Sequence, residues 1–308
     1  MKIAVDFPSV AYREGPEKVL ALASAIEEIG YDEIAAFDHV VMGHPGEGRR
    51  TIYSAEMPIL EALMLLSNVA AVTTRVSLST EVLVLPQRQP VLVAKQISTL
   101  DTLSNGRVRL GIGVGWQDSE YDALEENFSN RGRRMDEAID VLRSYWSGGR
   151  IEFRGSYYDS HDMGMEPVSP QGAGLPIWVG GDSPAALRRT AEKADGWMAS
   201  GVTDEQALLC VENIRQQAAE LGRGADEIGF QLMLQPPPRT DEDKVFYADL
   251  DAVAERAAVV RAMGFEWTSV NATGIFQAGA RSVDAMIEQL DVIHGRIRSE
   301  VGLVIRFL

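Results

Sequence analysis

Short apolar runs alternate with longer stretches of helical periodicity from one end of the chain to the other. Lys2-Ile-Ala-Val-Asp-Phe7 has a strand pattern, and a helix is expected from Pro16, a favoured first helical residue, to Ile29, closed by Gly30. The same reading places strands at 33–38, 75–84, 107–114, 176–180, 196–200, 228–234 and 267–271. Helices are expected at 58–72, at 90–103, from about 117 through Trp146, and at 184–193, 204–221, 249–263 and 282–297. Eight strands, each followed by a helix, imply a parallel sheet, and eight such units closing on themselves make a (β/α)8 TIM barrel of the α/β class. An open doubly wound sheet is the rival, but eight units in 308 residues suit the barrel better.

Residues 148–175 break the rhythm. They are rich in Gly, Tyr, Ser, His and Pro, and 150–153 and 156–159 are expected to pair as a short hairpin, so the segment reads as an insertion. Pro236-Pro-Pro-Arg239 is a second interruption. No linker or low-complexity tract divides the chain, and residues 1–308 are expected to form a single domain.

Composition narrows the function. Apolar residues make up 45% and charged residues 24%, so a large packed core is expected. The net charge of −16 disfavours nucleic acid and anionic membrane as partners, because both require concentrated basic surface. A local phosphate site remains compatible with it. The single cysteine, Cys210, cannot form an internal disulfide, and no signal peptide or membrane-spanning run is legible; a cytoplasmic protein is expected.

In such barrels the reactive groups lie at the C-terminal ends of the strands. His39 stands there, in Ala35-Ala-Phe-Asp38-His39, with the side chain best matched to proton transfer near neutral pH; the alternative is a loop histidine capping backbone groups. Two strands end in glycines just before a helix, at Gly111-Ile-Gly113-Val-Gly115-Trp116 and at Gly180-Gly181-Asp182-Ser183-Pro184. Glycine lets backbone N–H groups approach a ligand closely, and a helix N-terminus favours phosphate, so the pair suggests a phosphorylated cofactor. Tight packing at the first junction and simple helix capping at the second are the alternatives. The glycine spacing does not match a nicotinamide dinucleotide fingerprint. The four histidines, His39, His44, His161 and His294, show no ligand-like spacing, so no metal is expected. A Gly-x-Ser-x-Gly elbow is absent, and Cys210 falls in an apolar helical run, which argues against nucleophilic catalysis. Arg131, Arg133 and Arg134 read as a solvated face or as partners of Asp136 and Glu137.

Asp38-His39, Val82-Leu-Val-Leu-Pro86, Leu100-Asp-x-Leu-Ser-x-Gly-Arg107, Gly111-Ile-Gly-Val-Gly-Trp116, Arg131-Gly-x-Arg-x-Asp136-Glu137, Pro176-Ile-Trp-Val-Gly-Gly181 and Ala194-Asp-Gly-Trp197 occur in one order. In this combination the chain resembles the luciferase-like flavin and deazaflavin oxidoreductases, over about residues 2 to 300, and the branch using coenzyme F-420 more than bacterial luciferase proper. The resemblance implies a (β/α)8 barrel, usually a homodimer, binding F-420 or alternatively FMN. It implies His39 as the proton donor or acceptor near the reactive ring, with Asp38 beside it. It implies Thr80, Glu81 and Val82 along one ring face, with a non-proline cis peptide at Glu81-Val82. Gly113, Gly115 and Trp116, with Gly180, Gly181, Asp182 and Ser183, would hold the ribityl-phosphate portion. The chain departs from relatives acting on sugar phosphates, where an acidic residue follows the Gly-x-Gly turn; here it is Trp116. Glu81 stands where smaller residues are common. The expected activity is hydride transfer between F-420 and a small organic substrate. An FMNH2-dependent monooxygenase or a non-catalytic flavin-binding protein are the alternatives, and Tyr53, Tyr157, Tyr158 and His161 are candidates for a lid.

Overall fold

The computed structural model describes residues 1–46, 52–235, 240–241 and 243–304. Eight parallel strands form its centre: Lys2–Asp6, Glu33–Ala36, Ser77–Thr80, Val108–Gly113, Ile177–Gly180, Gly196–Ala199, Gly229–Met233 and Trp267–Asn271. Each pairs with the next in sequence, and the first pairs with the eighth in the register Lys2↔Trp267 to Asp6↔Asn271, which closes the barrel. The expected (β/α)8 architecture is therefore present.

The main helices around it are Pro16–Ile29, Ala62–Val72, Pro90–Leu103, Arg131–Trp146, Pro184–Lys193, Asp204–Glu220, Leu250–Ala262 and Val283–Val304. Side chains alternate along each strand. Ile3, Val5, Ile34, Leu78, Leu110, Ile112, Val179, Phe230, Leu232 and Val270 belong to the hydrophobic core between sheet and helices. The other set is mostly polar or small, namely Asp6, Glu33, Ser79, Arg109, Gly111, Gly113, Gly196, Gly229, Gln231 and Ser269, with Trp178, Trp267, Met198 and Met233 filling the space between them. The barrel interior is thus a polar column, wrapped by an apolar shell.

Several boundaries differ from the periodicity: the last helix runs to Val304 rather than 297, and the hairpin's second strand is Asp159–Met163 rather than 156–159. The second helix starts at Ala62, not Pro58, because Glu61 caps it by accepting from the Met64 N–H at 2.7 Å. The third strand stops at Thr80; the Glu81-Val82 peptide is cis, and a two-residue strand resumes at Leu83–Val84. The long helix expected from about 117 divides into Asp118–Ala123 and Arg131–Trp146, with Glu125 between them at φ 57°, outside helical space. The insertion forms an antiparallel hairpin, Ile151–Arg154 with Asp159–Met163. Glu137 pins it to the Arg131–Trp146 helix by accepting N–H groups of Ser156, Tyr157 and Tyr158 at 2.7–2.8 Å. Pro236–Arg239 lies outside the described residues. No described helix is long and apolar enough to cross a membrane.

Candidate active site

A cavity of about 850 Å³ opens at the C-terminal ends of the barrel strands. His39, Asp38, Glu81, Val82, Gly113, Gly115, Trp116, Gly180 and Gly181 all line it, so both glycine turns face one space. Thr80, Asp182 and Ser183 are not among the described lining residues. The Thr80 hydroxyl donates to the Gly111 carbonyl at 2.6 Å, and Ser183 caps the Pro184–Lys193 helix by accepting from the Ala186 N–H at 3.3 Å. Ile52, Tyr53 and Met57 line the cavity from the loop after the second strand, of which residues 47–51 lie outside the described set. Tyr157, Tyr158 and His161 are not among the described lining residues. Tyr158 instead accepts from Arg134 at 3.3 Å on the side of the barrel.

His39 has a defined partner. Its Nδ1 lies 3.2 Å from Oε2 of Glu120, a carboxylate buried in the short Asp118–Ala123 helix. Glu120 also accepts from Gln87 Nε2 at 3.0 Å and from the Val40 and Val41 N–H groups at 2.6 and 3.2 Å. Burial works to raise its pKa, but the hydrogen bonds from His39, Gln87 and Val40 outweigh that and hold the carboxyl below its ordinary value. A carboxylate fixed on Nδ1 leaves Nε2 as the nitrogen free to exchange a proton, and stabilises the imidazolium when it forms. The His39 ring packs edge-on against Tyr53 and Trp116, at centroid distances of 5.9 and 5.6 Å.

Asp38 turns the other way from His39. It accepts from the Val84 N–H at 2.8 Å and takes a bidentate pair from Arg88 at 2.7 and 2.8 Å. Burial pushes its carboxyl up, and Arg88 opposes that. Its visible work is to fasten the segment after the third strand to the cavity wall.

The glycines make room for that segment. A Cβ at position 111 would lie 2.0 Å from the Thr80 carbonyl oxygen, and one at 113 would lie 2.6 Å from Val82 Cγ2. A Cβ at 115 would meet Val84 Cγ1 at 2.7 Å, and one at 180 would meet Val82 Cγ1 at 3.0 Å. Gly115 and Gly181 also adopt positive φ, 67° and 100°, which favours glycine. Tight packing therefore accounts for Gly111, Gly113 and Gly180; Gly115 meets a turn requirement as well, and Gly181 a turn requirement alone.

Two features suit an anionic, flat-ringed ligand. Arg13 and Arg281 are the lysine or arginine residues lining the cavity among those described, in a chain of net charge −16. Gln277, another lining residue, carries a buried Oε1 with no hydrogen-bond partner. The volume lies within the range of cofactor pockets, and Val82, Val84, Met198, Met233 and Phe276 supply apolar walls. The residues present thus fit a flavin or deazaflavin. Among the described residues no group of three or more His, Cys, Asp or Glu is placed to hold a metal ion.

The sequence reading did not single out Glu120. The available signal was an acidic residue in the first helical turn after a barrel strand, a position shared by many surface carboxylates. The arginines, read as a solvated face or as partners of Asp136 and Glu137, divide: Arg133 is exposed and meets the Tyr157 hydroxyl, Arg134 is buried and bonds Glu126, and Asp136 pairs with Arg189.

A family model described as luciferase-like monooxygenase matches residues 3–292. An uncharacterized protein of Mycobacterium tuberculosis is 34% identical over 212 residues, covering 66% of this chain and 72% of that protein. The F420-dependent glucose-6-phosphate dehydrogenase of Nocardia farcinica is 27% identical over 266 residues, 82% of this chain and 76% of that enzyme. Among solved structures, the monooxygenase RslO1 from Streptomyces bottropensis superposes with a TM-score of 0.79 at 19% identity, covering all of both chains. The chain belongs to the luciferase-like monooxygenase family, whose members include F420-dependent and flavin-dependent enzymes acting on small molecules.

Proposed function

We propose that the protein is an F-420-dependent oxidoreductase that moves a hydride between the deazaflavin and a small organic substrate. The observation that carries this reading is the His39–Glu120 dyad in the wall of a cavity lined by both glycine turns. F-420, when bound, supplies the hydride-carrying ring carbon. In this reading His39 Nε2 gives or takes the proton that accompanies the hydride, and Glu120 holds the ring in the required tautomer. Trp116, Tyr53 and Val82 bound the reacting space and exclude water from it. Gly113, Gly115, Gly180 and Gly181 admit the cofactor tail, with Asp182 and Ser183 at the helix start beyond it and Thr80 behind the ring wall. Arg13 and Arg281 meet anionic groups at the mouth. We infer a single domain acting as a cytoplasmic homodimer, which sedimentation would check.

The relative from Nocardia farcinica, matching over most of this chain, favours F-420. The family's own description, luciferase-like monooxygenase, keeps oxygenation as the second reading, for which FMN is the cofactor we infer. Titration with each cofactor, followed by quenching of the five tryptophans, separates them. Tighter binding of F-420 is expected, and preferential FMN binding with substrate-dependent O2 consumption would replace the reading by the monooxygenase.

A further inference from the structure

Below His39, the barrel interior holds more acid than base. Arg109 pairs with Glu33 through Nε at 2.8 Å and through Nη2. Its Nη2 also donates to Gln231 Oε1 at 2.5 Å. A guanidinium has no lone pair to offer, so the Gln231 amide is oriented with its oxygen towards Arg109. Its Nε2 therefore donates to Glu81 Oε2, at 3.0 Å. The other Glu81 oxygen lies 3.2 Å from Ser269 Oγ, and the same hydroxyl lies 3.1 Å from Asp6 Oδ2. Asp6 Oδ1 is buried with no hydrogen-bond partner.

One hydroxyl has one hydrogen. If Asp6 and Glu81 were both carboxylates, one of these contacts would set lone pair against lone pair, with two negative charges and, among the described residues, no free cation beside them. The contacts close if one carboxyl carries a proton and donates it to Ser269 Oγ, which then donates to the other. The charged or titratable groups facing the pair are Glu33 on the second strand, Arg109 on the fourth and Tyr247, whose hydroxyl accepts the Asn271 N–H at 2.9 Å. Burial, then the Glu81 carboxylate, pushes Asp6 well above the usual carboxylate range.

We propose that Asp6 and Glu81 hold one proton between them at neutral pH, and that Glu81, which lines the cavity, is a second catalytic acid there besides His39. In the step, the Glu81 O–H bond breaks and a new O–H or N–H bond forms on the ligand atom that gains negative charge. The bonding pair stays on the Glu81 carboxylate, where Gln231 Nε2 and Ser269 Oγ donate to it. Asp6 and water restore the proton. The shared proton follows from the hydrogen-bond geometry alone; its delivery rests on the oxidoreductase reading above.

Infrared difference spectroscopy on the ligand-free protein tests the first half without turnover. A protonated-carboxyl stretch is expected at neutral pH, shifting promptly in D2O because Glu81 reaches the cavity, lost in Asp6→Asn and moved in Glu81→Gln. Absence of the band in the unsubstituted protein, or its exchange only on unfolding, overturns the proposal even if a variant fails to fold. For delivery, Glu81→Gln should lower kcat by about tenfold or more with KM within a few-fold, and remove a limb of the pH profile that His39→Ala retains. An unchanged pH profile overturns that half. If neither F-420 nor FMN binds, the oxidoreductase reading and the delivery step fail together, while the band still decides whether the proton is shared.

Discussion

The two ends of the barrel interior solve the same problem in opposite ways. At the N-terminal end of the strands, Arg109 and Glu33 form a bidentate ion pair, and the guanidinium is sandwiched between Trp178 and Trp267 at 4.2 and 4.3 Å. Gly196 and Gly229 leave space for the Trp178 ring; a Cβ there would lie 2.2 and 2.6 Å from it. Charge is matched to charge, and aromatic faces fill the volume. At the C-terminal end, Asp6 and Glu81 have no cation of their own among the described residues, and Glu81 borders an open cavity. A plug can be neutralised in place. The floor keeps an exchangeable charge; in the plug, burial pushes the Glu33 carboxyl up despite Arg109, and Arg109 Nη1 is buried without a hydrogen-bond partner.

Breaking the plug should give the largest effect. Arg109→Met leaves Glu33 buried without its partner and should destabilise the protein by about 3–5 kcal/mol in denaturant unfolding. Adding Glu33→Met to it should recover most of that loss; failure to recover would mean that the pair does more than cancel charge. Next in size, His39→Ala should cut turnover roughly a hundredfold while cofactor affinity, read from tryptophan quenching, stays nearly constant. Unchanged turnover would remove His39 from the chemistry.

The upper acids should show themselves through pH. Asp6 has a folded pKa above its unfolded one, so the folded state binds the extra proton. Its contribution is fully present below the unfolded value and is lost as pH rises through the folded one, at up to about 1.4 kcal/mol per pH unit for one proton. Asp6→Asn should flatten that fall and raise Tm relative to the unsubstituted protein at alkaline pH. An equal pH slope in both proteins would show that the upper acids carry no shared proton. Smallest of all, Glu120→Gln should lower kcat by roughly tenfold, because His39 loses the charge that stabilises its protonated form but keeps a hydrogen-bond partner.

Much of this was legible in the residues. The alternation of apolar runs and helical faces gave eight strands, and the order of motifs gave the family. His39, the two glycine turns and the position of the Glu81-Val82 cis peptide could be named from those motifs. Glu120 could not, because nothing local distinguishes a carboxylate that will be buried against His39 from one facing water. Asp6, Glu33, Arg109 and Gln231 were visible as polar residues within apolar strands, yet each reads separately as an oddity. Only closure of the barrel brings the first, second, fourth and seventh strands into one column.

What the sequence determined by itself is periodicity: which faces are apolar, where chains turn, and hence a closed parallel barrel with His39 and the glycine turns at the C-terminal ends of its strands. What the tertiary structure alone decided is which polar groups are neighbours. Burial and hydrogen bonding act over a few ångströms between residues as far apart in the chain as Asp6 and Ser269, and no spacing along a sequence encodes such a distance.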